Sequence, residues 1–117
     1  MVAKFGFSEG IAFDAAGAAY TAAMGLNEIV RTDVATGATQ VLASEDYEPT
    51  SISVGRDGLV YALVGDEVVR LNPSIGVQSD VTEIDGINPF EFSLAASGNA
   101  YAVYGTGLWK ITDLIAR

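Results

Sequence analysis

The chain has 117 residues, half of them apolar, which is the size of one ordinary domain with enough side chains for a core. Six Lys and Arg stand against 15 Asp and Glu, and the net charge of −9 repels phosphate backbones and anionic lipid heads, so neither nucleic acid nor a membrane is an expected partner. With no cysteine and no histidine, disulfides, thiolate metal sites, cysteine nucleophiles and the usual serine–histidine and zinc-hydrolase mechanisms are excluded.

The opening segment MVAKF has a lysine but is not followed by the apolar run of a secretion signal, and no later run is long enough to span a bilayer. The expected compartment of the chain as written is the cytoplasm. Next comes GIAFDAAGAAYTA at 10–22, two short strands around a tight turn, then NEIVRTD as a third strand, the turn VATG, and ATQVLA as a fourth. The same order returns with TSISV, the turn GRDG, LVYALV, a turn at Gly65-Asp66, EVVRLN, the turn NPSIG and QSDVTEI. A third round runs FEFSLA, ASG, NAYAVYG and GLWKITD, and reaches LIAR where the first round has VATG.

Three families of position keep step: Gly17, Gly58 and Gly98; Tyr20, Tyr61 and Tyr101; Arg31, Arg70 and Lys110. A repeat of about 40 residues, made of short β-branched and aromatic segments with glycine at a turn, is the pattern of propeller blades and not of helical solenoids. The expected fold is all-β, with three four-stranded antiparallel blades per chain. The repeats cover about 7–47, 48–87 and 88–117 of a single unit over 1–117. The third lacks its fourth strand, and MVAKF lies where a preceding blade would place one. Propeller rings take about four blades or more, so two chains are expected to close a six-bladed ring as a homodimer, residues 1–6 of each completing a blade of the other.

The run E-G-I-A-F-D-x-x-G-x-x-Y from Glu9 to Tyr20, followed by I-V-R-x-D-x-x-T-G from Ile29 to Gly37, resembles the blades of six-bladed propellers of the NHL and gluconolactonase/regucalcin kind, and all three repeats take part. The resemblance implies a ring with a central tunnel whose rim is formed by Phe7 to Gly10, Glu48 to Ser51 and Asn88 to Glu91. It also implies, in the gluconolactonases, a glutamate in a Glu-Gly-Pro step that binds a divalent cation. Here Ser8-Glu9-Gly10-Ile11 has Ile11 in place of the proline, and the positions equivalent to Glu9 are Thr50 and Phe90.

Three functions stay open: a scaffold or binding module for a protein or small-molecule ligand, a divalent-metal-dependent hydrolase, and a structural half-propeller without a ligand. The candidate metal residues are Glu9, Glu48 and Glu91, whose oxygen-only chemistry suits calcium or magnesium. The candidate ligand residues on the rim are Tyr47, Asn88 and Phe90. No residue is assigned a catalytic role. Asp14, Asp57 and Ser97 are expected to cap turns, Tyr20, Tyr61 and Tyr101 to pack in the core or between blades, and Arg31, Arg70 and Lys110 to pair with neighbouring acids.

Overall fold

The computed structural model describes residues 8–23, 27–45, 47, 49–65, 67–83, 91–104 and 107–116. Strands β1 (Ser8–Phe13), β2 (Ala18–Ala23), β3 (Glu28–Asp33) and β4 (Thr39–Ser44) pair in chain order into a first sheet. Strands β5 (Pro49–Val54), β6 (Val60–Val64), β7 (Glu67–Asn72) and β8 (Val77–Glu83) form a second, and β9 (Glu91–Leu94), β10 (Ala100–Tyr104) and β11 (Gly107–Ile111) a third. Each strand is antiparallel to its chain neighbour.

The first hairpin of every sheet is built alike. Gly17 N–H donates to Asp14 O, Gly58 N–H to Gly55 O and Gly98 N–H to Ala95 O. The three glycines sit at φ of 90°, 79° and 92°, a region an L side chain resists, which is why the repeat is punctuated there. Two residues of each turn then align as Asp14, Gly55, Ala95 and as Ala16, Asp57, Ser97.

Alternation along the strands sends side chains to both faces. In β6, Val60, Ala62 and Val64 join one cluster, with Ala18, Tyr20 and Ile29 of the first sheet and Ile52, Val69 and Leu71 of the second. Tyr61 and Leu63 point the other way, into a cluster with Val68, Phe92, Ala100, Ala102 and Leu114. Both faces of the second sheet are thus buried, so the whole of β6 is apolar instead of alternating with polar residues. Strand β5 lies in contact with both β1 and β9, so the first strands of the three sheets stand side by side.

Candidate functional site

Glu9 and Glu91 fall within β1 and β9, on the first strands of the first and third sheets. Tyr47 is exposed just ahead of β5. Glu48, Asn88 and Phe90 lie outside the described residues. Among the described residues no group of three acidic side chains converges as a metal site would require.

What the structure does assemble is a repeated polar device on the sheet faces. In the first sheet, Asp14 Oδ1 accepts from the N–H groups of Ala16 (3.0 Å) and Ala18 (2.9 Å), while Asp14 Oδ2 accepts from the Tyr20 hydroxyl at 2.8 Å. Arg31 Nε donates to the same hydroxyl at 3.3 Å. In the second sheet, Asp57 Oδ1 accepts from Leu59 N–H and its Oδ2 from the Tyr61 hydroxyl at 2.7 Å, and the Arg70 guanidinium lies 5.9 Å from the centre of the Tyr61 ring. In the third, Ser97 Oγ accepts from Asn99 N–H. The expected turn caps are therefore present, and Tyr20 and Tyr61 are buried. The expectation for the cations changes: Arg31 reaches Asp14 through the tyrosine hydroxyl, and Arg70 stacks on Tyr61, because the tyrosine stands directly across the ladder from each arginine.

These contacts shift the titrating groups. Burial pushes the Asp14 carboxyl up, but the hydrogen bonds from Ala18, Tyr20 and Ala16 outweigh it and hold the group below the ordinary carboxylate range. Burial, and then the carboxylate each faces, raise the Tyr20 and Tyr61 hydroxyls above the usual tyrosine value of 10.0.

The sheets meet at two seams. In each, the tyrosine-bearing face of one sheet packs on the aliphatic face of the next: Tyr20 and Ile29 against Ile52, Ala62 and Leu71, then Tyr61, Leu63 and Val68 against Phe92, Ala100 and Ala102. Ser51 clamps the second seam, its buried hydroxyl donating to Phe92 O at 3.1 Å and accepting from Phe92 N–H at 3.2 Å. Arg56 Nη1 donates to Ala96 O at 2.6 Å and Arg70 Nη1 to Ile115 O at 3.5 Å across the same seam.

Among the described residues, two faces of the stack have no neighbouring sheet. By strand register, Ile11, Phe13, Ala19, Thr21, Val30, Thr32 and Val41 share the outer face of the first sheet, where Ile11, Phe13 and Val41 are exposed while Ala19, Thr21, Val30 and Thr32 are buried. Tyr101, Val103 and Leu108 share the outer face of the third, where Val103 is 45% and Leu108 69% exposed. Sequence reading missed the Ser51 clamp, because serine stands at that position in only one of the three repeats.

No family model matches the sequence, and no curated protein matches it. Solved structures do. The chain is similar to virginiamycin B lyase from Staphylococcus aureus, with a TM-score of 0.75 and 15% identity over 91% of this chain and 38% of that one. It is similar to a gluconolactonase from Xanthomonas campestris, with a TM-score of 0.73 and 15% identity over 86% of this chain and 36% of that one. A chain of a nidogen/laminin complex aligns with a TM-score of 0.71 and 18% identity over 81% of this chain and 38% of that one. The chain spans less than two fifths of the length of each of these structures. At such identities the likeness shows the fold alone, and that fold, all-β with antiparallel sheets resembling blades, is the fold of the β-propeller proteins.

Proposed function

We propose that the chain is a β-propeller scaffold that closes into a ring of six blades with a second copy, and that its rim loops, Tyr47 among them, present the binding surface for a protein or small-molecule ligand. The observation that carries this reading is the pair of apolar faces at the two ends of the stack, exposed at Ile11, Phe13 and Val41 on one and at Val103 and Leu108 on the other. A second copy covers these side chains on both faces at once, whereas an isolated chain leaves them in water. Among the described strands the third sheet has three where its siblings have four, and residues 1–6 of the other copy supply the fourth beside β11. Light scattering at micromolar concentration is expected to give twice the 12.2 kDa chain mass. A folded species of single-chain mass overturns the reading, and three chains argue for nine blades.

A second reading, a divalent-cation-dependent hydrolase, draws on the similarity to a gluconolactonase and on the placement of Glu9 and Glu91 on the first strands that stand beside β5. In that case millimolar calcium raises the melting temperature of the wild type and not of Glu9→Gln. No response in either protein leaves the scaffold reading in place.

A further inference from the structure

The two outer faces are not merely apolar; they are opposite halves of one seam. On the outer face of the first sheet, Ile11, Ala19, Thr21, Val30 and Thr32 occupy the repeat positions of Ile52, Val60, Ala62, Val69 and Leu71, which form the aliphatic half of the first seam. On the outer face of the third, Tyr101, Val103 and Leu108 occupy the positions of Tyr61, Leu63 and Val68, the tyrosine half of the second seam. One end of the stack thus carries an aliphatic half, exposed at Ile11, and the other a tyrosine half, exposed at Val103 and Leu108.

We infer that the third sheet of one copy docks on the first sheet of a second copy in the register of the internal seams, a head-to-tail contact in which position 91 faces Ile11 of the second copy as Ser51 faces Phe92. This rests on the ring reading above and specifies its interface. The contact is heterologous, so it buries unlike surfaces, and with three sheets per copy it closes after two.

The closing seam differs from the second internal one in chemistry. Glu91 stands at the position of Ser51, Ala96 at that of Arg56 and Lys110 at that of Arg70, so the hydroxyl clamp and the Arg56 bond have no counterpart there. Across this seam the side chains therefore associate through apolar contact.

The natural chain has no cysteine, which makes single-cysteine variants clean probes. Glu91→Cys and Ile11→Cys are prepared separately, then mixed, unfolded and refolded together, and oxidised. A disulfide-linked dimer is expected from the mixture and from neither variant alone. A covalent dimer from Ile11→Cys alone overturns the register, since it places like faces together. A non-covalent dimer of twice the chain mass that forms no disulfide in the mixture also overturns the register, while leaving two-copy assembly standing. A single-chain mass throughout overturns both. Leu108→Asp, at a side chain exposed in the single chain, is expected to weaken association at least tenfold with the circular dichroism spectrum unchanged; unaltered association overturns the inference.

Discussion

The two internal seams join the same faces by different means. In the first, backbone comes close to backbone: Gly10, at φ 73°, leaves room such that a Cβ there would lie 3.5 Å from Ile52 Cγ2 and 3.6 Å from Ile52 N. Among the described side-chain bonds it has Gln78 Nε2 donating to Glu45 Oε1 at 2.9 Å. The second seam puts Ser51 at the position of Gly10 and adds the Arg56 and Arg70 bonds. It also inserts the turn after β11: Leu114 is fully buried there, and Ile115 N–H donates to Gly98 O. The matching turn of the second sheet leaves Ile75 68% exposed, and beside Arg31 an open groove of about 500 Å³ remains, lined by Ala16, Gly17, Ala18, Asp33, Val34 and Ala35. The difference teaches that the shared requirement is the apolar face pair, while polar clamps are local additions free to change from one repeat to the next.

The largest expected effect falls on what the seams share. Leu71→Ala empties a fully buried position in the first seam and Leu63→Ala one in the second, and each is expected to lower stability by about 2–5 kcal/mol in urea titrations. Near-equal losses support equivalent apolar halves; a loss confined to Leu63→Ala sets the first seam apart as dispensable.

A smaller effect is expected from the clamp. Ser51→Ala leaves the N–H and O of Phe92 without their buried partner and is expected to cost about 1–3 kcal/mol, with slower-exchanging amides of β9 losing protection before those of β1. Equal loss of protection in both strands contradicts a clamp local to the second seam.

The smallest effect is a pH dependence. The folded state holds the Asp14 carboxyl below its ordinary value, so that stabilisation is present above about pH 4 and is lost as pH falls through the folded pKa. The Tyr20 and Tyr61 hydroxyls are raised, so their contribution is intact below about pH 10 and is lost as pH rises toward their folded values. Melting temperature is expected to stay level between these limits and to fall outside them, and Tyr20→Phe with Tyr61→Phe should flatten the alkaline fall. An unchanged alkaline fall in that double variant removes the tyrosines from its cause.

Most of the strand order was legible in the sequence because the repeat is carried by residues with a single job. Gly17, Gly58 and Gly98 all answer to a positive φ, and Tyr20, Tyr61 and Tyr101 recur at one position of the second strand in every sheet. The acid partners of the tyrosines were not legible as a unit, because the carboxylate comes from different turn positions. Asp14 is the first residue of its turn; Asp57 is the third of its own and folds back over Gly55 to reach Tyr61. A Cβ at Gly55 would lie 2.5 Å from Asp57 Oδ1 and 2.9 Å from Tyr61 Cε2, so the small residue and the displaced acid go together. Alignment by spacing sets Asp14 opposite Gly55 and hides the shared outcome. Of the rim residues, Glu9, Tyr47 and Glu91 were placed on or beside the first strands, while Glu48, Asn88 and Phe90 lie outside the described residues.

Because within each sheet every strand pairs with its neighbour in the chain, each sheet closes from hairpins alone, and long-range contact is needed only where one sheet lies on the next. The stack is thus nearly one-dimensional, with stability set by nearest-neighbour coupling between units. During synthesis the first sheet is complete before the face that covers it exists, and the second gains its second cover only when Phe92 and Ala102 have been made. In an unassembled chain the middle sheet is the one covered on both faces and is expected to melt last, with unfolding entering from the outer sheets until a second copy covers them.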